Sequence, residues 1–127
     1  MNILFVVPDL SIGGAEVTVV NLANSLAKLG HTISLYECYS NRNETLVRTI
    51  NNDVQIVSYS PSVGFVKVLN NLWNVFAGQS RLKNKVYHFF QAKHFNSVLK
   101  TQNIEIINSH LPSADFFVYM TAKENLL

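Results

Sequence analysis

Apolar and polar positions along this chain change their period several times. Asn2 to Val7, NILFVV, is an almost unbroken run of β-branched, aromatic and aliphatic residues that Pro8 closes. Such a run predicts a strand buried on both faces, as in a parallel sheet. From Ala15 the spacing turns helical, with Ala15, Val19, Leu22, Ala23, Leu26 and Leu29 on one stripe, Glu16 in the first turn and Lys28 in the last. Gly30 stops this helix, since a residue without a side chain accepts the left-handed cap. His31 to Tyr39, HTISLYECY, resumes a strand pattern. Residues 2–39 therefore predict a strand, helix, strand unit, whose crossover is right-handed and pairs parallel strands.

A polar loop over Ser40–Asn43 leads to a short helix near Glu44–Ile50 and a third strand at Val54–Tyr59, closed by Pro61. Val63–Phe76 and Leu82–Leu99 both have helical spacing, with Gly78 as the break between them. Ile104–Asn108, IEIIN, predicts a fourth, buried strand that runs into Ser109, His110, Leu111 and Pro112. Ser113–Leu127 is helical in pattern, with Asp115 near its start. Strands that alternate with helices predict an α/β fold, a Rossmann-like three-layer sandwich with a mostly parallel sheet. Ligands of such sheets bind beyond the carboxyl ends of the strands, and the loops Pro8–Gly14 and Ser109–Ser113 fall there. The sequence stops within a helical pattern without a cap, which reads as a single domain cut before its last strands.

Composition narrows the class. With 127 residues, 48% of them hydrophobic and 14% charged, the chain is sized for one core and is far from disordered sequences. One cysteine, Cys38, leaves no intramolecular disulfide framework and points to a reducing compartment, with the cytoplasm expected. The N-terminal apolar run is too short and lacks the basic flank of a signal peptide.

The stretch PDLSIGGAE joins the first strand to the first helix, and its paired Gly13 and Gly14 raise two possibilities. At a helix start, free amides and the positive end of the macrodipole form an anion site that glycines allow a phosphate or carboxylate to approach. Alternatively the glycines only permit a sharp turn through positive φ. The dinucleotide fingerprint G-x-G-x-x-G is absent, as is a Walker-type phosphate loop. Glu37, an acid near the end of the second strand, keeps a dinucleotide alternative open, against the simpler view of a solvated strand-end charge. Glu16 has a structural explanation in the helix dipole. The carboxylates show no spacing for paired acid/base work, and the histidines show none for a metal site.

The segment MNILFVVPDLSIGGAEVTVVNLANSLAKLGHTISL resembles the opening of the N-terminal domain of group 1 (family 4) glycosyltransferases of the GT-B type, and IEIINSHLPSAD resembles a later segment of that domain. This resemblance implies two Rossmann-like domains across a cleft, moving a sugar from a nucleotide-sugar donor to a glycan or lipid-linked acceptor with retention. It implies that Gly13 and Gly14 lie against acceptor and donor diphosphate, that Glu16 and Ser109 contribute to substrate binding, and that His110 sits near the transferring sugar. No metal is expected, the nucleotide-sugar being a co-substrate. The donor is held chiefly by a C-terminal domain that this sequence does not include, so the chain alone is expected to be inactive. A free-standing nucleotide or dinucleotide module, or a non-catalytic subunit of a two-chain transferase, are the rival expectations.

Charge is unevenly placed. No acid occurs between Asp53 and Glu105, while Lys67, Arg81, Lys83, Lys85, Lys93 and Lys100 fall there among aromatic residues. Residues 81–100 could therefore make peripheral contact with an anionic membrane face. The simpler alternative is a solvated helix whose stripe Leu82, Val86, Phe89 and Phe90 packs inward. A net charge of +2 without a recognition motif argues against nucleic acid. An unpaired sheet edge would favour self-association.

Overall fold

The computed structural model describes residues 1–60 and 80–123. β1 (Asn2–Val7) is central in a four-stranded sheet, flanked by β2 (Thr32–Glu37) on one side and β4 (Ile106–Ser109) on the other, with β3 (Val54–Ser58) outside β2. Every pairing is parallel, with Ile3 opposite both Ile33 and Ile106, and Val6 opposite both Tyr36 and Ser109. The sheet is covered on both faces by α1 (Gly14–Lys28) and α2 (Glu44–Val47) on one side, and by α3 (Ser80–Thr101) and α4 (Pro112–Lys123) on the other. This is the three-layer α/β sandwich that the alternation of patterns predicts.

Two apolar layers follow from the pleat, which sends successive side chains of a strand to opposite faces. Ile3, Phe5 and Val7 join Ile33, Leu35, Val19, Val20, Ala23 and Leu46 beneath α1 and α2. Leu4 and Val6 join Tyr36, Cys38, Phe95, Val98 and Ala114 beneath α3 and α4. Each such side chain taken fully out of water contributes about 1.5–3 kcal/mol, so β1, buried on both faces, anchors the fold.

Helix ends agree with the expected chemistry. Gly30 takes φ +88° after α1, and its amide donates to the Ala27 carbonyl at 2.9 Å. Asn103, at φ 49°, makes the corresponding left-handed turn after α3, a conformation that asparagine tolerates. The Asn43 side chain caps α2 by accepting from the Leu46 amide at 3.2 Å.

Several expectations need correction. β2 and β3 are shorter than their patterns, and α2 ends at Val47. The inward face of α1 is Val19, Val20 and Ala23, while Leu22 and Leu29 are exposed. On α3 the inward stripe is Gln91, Ala92, Phe95, Asn96 and Val98, and Phe89 and Phe90 are 45% and 37% exposed, so the packing stripe was misplaced by a fraction of a turn. β4 is not a buried strand: its Ile106 and Asn108 are exposed, because α1 packs over β1, β2 and β3. The helix expected over Val63–Phe76, and the last residues of the helix expected to reach Leu127, lie outside the described residues. Among the described residues no helix is long and apolar enough to cross a membrane.

Candidate functional site

Crossovers from β1 run to β2 and on to β3, whereas β4 lies on the other flank of β1. The strand order thus reverses between β1 and β4, and at such a point the loops on the two sides diverge and leave a crevice above the carboxyl ends. The loop from Pro8 to Gly13 forms one wall, and His110 with Leu111 forms the other.

Gly13 is the N-cap of α1 in an extended conformation, φ −153° and ψ 166°, and makes no side-chain cap hydrogen bond. Neither Gly13 nor Gly14 takes a positive φ, so the sharp left-handed turn offered as their structural explanation is not what they do. Their smallness has different reasons. A Cβ on Gly13 would strike the carboxylate of Glu16, which folds back over the helix start, whereas a Cβ on Gly14 would project into open space. Among the described residues nothing accepts a hydrogen bond from the amides of Gly14, Ala15 or Glu16. Those amides are therefore available to an anion, with Glu16 as a negative neighbour that a polyol hydroxyl would satisfy.

The first wall is fixed by the neighbouring loop. The Leu10 amide donates to the Asn41 carbonyl at 3.1 Å, and the Asn43 amide donates to the Leu10 carbonyl at 2.9 Å. Asp9 accepts from the Ser11 amide at 2.9 Å and from the Asn41 side-chain amide at 3.4 Å. Burial works to raise the Asp9 pKa, but these hydrogen bonds outweigh it and hold the carboxyl below its usual range. Leu10 itself is fully buried under α1, which plugs the loop into the core.

Beside this loop stands an ion pair that sequence reasoning misjudged. Glu37 is not a solvated strand-end acid: its side chain is fully buried and accepts from Arg42 Nε at 2.8 Å and Nη2 at 2.5 Å. The bond to Glu37 holds the Arg42 guanidinium above its ordinary pKa. Arg42 also donates to Ser58 Oγ at 3.3 Å. With its carboxylate enclosed, Glu37 does not present an acid to a ribose, and the dinucleotide alternative loses the residue that supported it. Arg42, a cation five positions beyond the strand-end acid, was the signal that could have found the pair.

On the second wall, the His110 amide donates to the Val6 carbonyl at 2.8 Å, continuing the β4 ladder. Its ring lies 5.9 Å from that of Phe5, centroid to centroid, which places the imidazole on the α1 side of the sheet. Nε2 of His110 is buried and has no hydrogen-bond partner. A buried polar nitrogen without a partner is costly unless something else satisfies it. Ser109 pairs with Val6, and the pleat turns its side chain to the opposite face. Leu111 takes φ 75°, a conformation that costs a branched residue roughly 1–2 kcal/mol. That turn swings the chain from the strand into α4, where Pro112 occupies the first helical position.

Gly13, Gly14 and Glu16 thus follow β1, and His110 follows the adjacent parallel strand β4 on the α1 side of the sheet, with Ser109 turned to the other face. Among the described residues no group of histidine, cysteine, aspartate and glutamate side chains is arranged to hold a metal.

Residues 12–126 match the family described as Glycosyltransferase Family 4. The chain is also similar to the alpha-1,3/1,6-mannosyltransferase ALG2 of Yarrowia lipolytica, with 48% identity over 42 residues, 33% of this chain and 9% of that protein. A second similarity is to the alpha-1,3/1,6-mannosyltransferase ALG2 of Eremothecium gossypii, with 35% identity over 57 residues, 45% of this chain and 11% of that protein. The aligned stretches cover about a tenth of the length of these curated relatives. A match over residues 12–126, from the end of the first loop through α1, the outer strands and the turn that bears His110, assigns the family: the chain belongs to glycosyltransferase family 4.

Proposed function

We propose that this chain is the acceptor-side domain of a retaining glycosyltransferase that takes its sugar from a nucleotide-sugar and passes it to a glycan or lipid-linked acceptor. The observation that carries this is the buried, unpartnered Nε2 of His110, which follows the strand next to the one that leads into the open amides of α1. In the transfer, the bond from the anomeric carbon to the diphosphate oxygen breaks with its electron pair, a bond from the anomeric carbon to the acceptor oxygen forms, and the acceptor hydroxyl's proton passes to the departing diphosphate oxygen. Charge builds on the departing diphosphate, and preorganised amides at a helix start stabilise it at no cost in reorganisation. His110 supplies a hydrogen bond to the sugar or to a diphosphate oxygen. No metal has a part in this scheme.

A donor-binding domain on the far side of the cleft completes the enzyme in this proposal, and the chain works on the cytoplasmic side. The exposed side chains of Phe89, Phe90 and Lys93 on α3 provide a contact for an anionic membrane surface. β3 and β4 each pair on one side within this sheet, and a second copy could add to either edge.

The test is a titration of the 15N-labelled chain with inorganic pyrophosphate and with nucleoside diphosphate sugars. Saturable shifts of the Gly13, Gly14 and His110 resonances support the assignment. Shifts confined to other residues, or none at all, overturn it.

A further inference from the structure

Parallel pairing of the first two strands does not stop where β1 and β2 end. The Cys38 amide donates to the Val7 carbonyl at 3.0 Å and the Tyr39 amide to the Pro8 carbonyl at 2.7 Å, and a bridge between Leu10 and Arg42 carries the ladder on into the two loops. Among the described residues, every backbone hydrogen bond that Pro8 or Leu10 makes goes to Tyr39, Asn41 or Asn43. Beyond Leu10 only Ser11 and Ile12 precede the Gly13 cap, a span of at most about 11 Å. The loop after β2 is thus the template on which the entry to α1 is laid.

One side chain fastens that template. Arg42 donates to Glu37 Oε1 from Nε, at 2.8 Å, and from Nη2, which also donates to Ser58 Oγ at 3.3 Å. Glu37 and Ser58 are register partners at the carboxyl ends of β2 and β3. A single guanidinium therefore clamps two strand ends and, through its own backbone, the loop that enters Gly13. As a source of stability the clamp is poor. Both donors share Oε1, while Oε2 is buried with no hydrogen-bond partner, and a buried pair with incomplete bonding recovers little of what it loses in leaving water. What the pair does supply is direction: a guanidinium is a rigid fork, whereas apolar contact is non-directional.

We infer that Arg42, held by Glu37 and Ser58, is a positioning residue that sets the path of Pro8–Ile12 and so presets the amides that open α1 for an anion. That those amides receive a diphosphate rests on the function proposed above; the fastening of the loop does not.

The experiment compares the full chain with Glu37→Leu/Arg42→Leu, by amide hydrogen exchange and by titration of the 15N-labelled proteins with inorganic pyrophosphate. The double variant removes the pair without leaving either charge alone, so its melting temperature should stay near that of wild type. Exchange at the Leu10 and Asn43 amides should quicken by about ten-fold while the Phe5 and Leu35 amides keep their wild-type rates. The pyrophosphate Kd should rise by about three- to ten-fold as the amides lose their preset arrangement. Arg42→Lys keeps a cation beside Glu37, and so the fold, but loses the fork; it gives both changes at smaller size and decides the matter should the double variant not fold. Unchanged exchange at Leu10 and Asn43 overturns the inference. Faster exchange that extends to Phe5 and Leu35 also overturns it, since the pair would then support the sheet alone, as does a loosened loop with wild-type pyrophosphate affinity. If wild type shows no pyrophosphate shifts at Gly13 and Gly14, the proposed function falls, and the exchange rates alone decide whether Arg42 sets the loop.

Discussion

The carboxylate of Glu37 and the guanidinium of Arg42 form a pair in which the acid is wholly enclosed and the base is half solvated. Arg42 is also bridged through its backbone to Leu10, so the pair ties the loop after β2 to the loop that leads into Gly13. Arg42→Ala leaves a buried carboxylate without either donor, and the expected loss is about 1–3 kcal/mol, the solvated guanidinium holding it below the cost of breaking a fully buried pair. Urea denaturation measures it. A variant as stable as wild type would show that the pair does not brace the loop.

Gly14 offers a clean separation of folding from binding. With open space where its Cβ would lie and a φ outside the left-handed region, Gly14→Ala should stabilise α1 by about 0.5–1 kcal/mol. If an anion rests against this backbone, the same methyl weakens it. A raised melting temperature together with weaker pyrophosphate binding is the expected outcome, and equal or stronger binding speaks against close approach.

His110→Phe keeps the ring contact with Phe5 while removing the orphaned nitrogen. Its stability should equal or exceed that of wild type by up to about 1 kcal/mol. Sugar transfer by the enzyme that contains this domain should fall by about 10²–10³, the usual effect of losing one preorganised donor. Comparing the melt and kcat of the two proteins tests both halves.

Burial pushes the His94 pKa below its usual value near 6.5, with Tyr36 Oη at 3.3 Å from Nδ1. The unfolded chain therefore takes up a proton before the folded one does. Stability should start to fall as pH drops below about 6.5 and continue falling until the folded imidazole is also protonated. His94→Gln should flatten that limb of a urea midpoint profile. Asp9, with its pKa lowered, adds a second loss at more acidic pH, as its hydrogen-bonded carboxylate is protonated below the usual carboxylate range.

Burial likewise pushes the Cys38 thiol up to about 12. Alkylation of the native protein by iodoacetamide at pH 8 should be at least about a hundred-fold slower than in urea. Rapid native labelling would mean that the layer beneath α3 and α4 opens readily.

Much of this architecture was legible because its signals are local. NILFVV, the helical stripe ended by Gly30, and the acid and base at the two ends of α1 each state their element within a few residues. The placement of Gly13, Gly14 and His110 after the carboxyl ends of β1 and β4 was legible in the same local way. What failed depended on neighbours remote in sequence. Glu37 looks solvated until Arg42 folds over it, and Ile106 looks buried until the limited reach of α1 leaves it uncovered. The inward stripe that would hold Phe89 and Phe90 fails because apolar spacing does not fix a helix's rotation when Gln91 and Asn96 are among the residues that face inward.

The central place of β1 has a consequence for how the protein is made. Its partner on one side emerges from the ribosome within some thirty residues, Asn2 pairing with Thr32, but its partner on the other side begins at Ile106. Until then a nascent chain carries the bare flank of its most apolar strand, a template for wrong pairing that slow long-range closure prolongs. The wall that bears His110 is the last to arrive, so a translational pause ahead of residue 106 should be the moment of greatest dependence on chaperones.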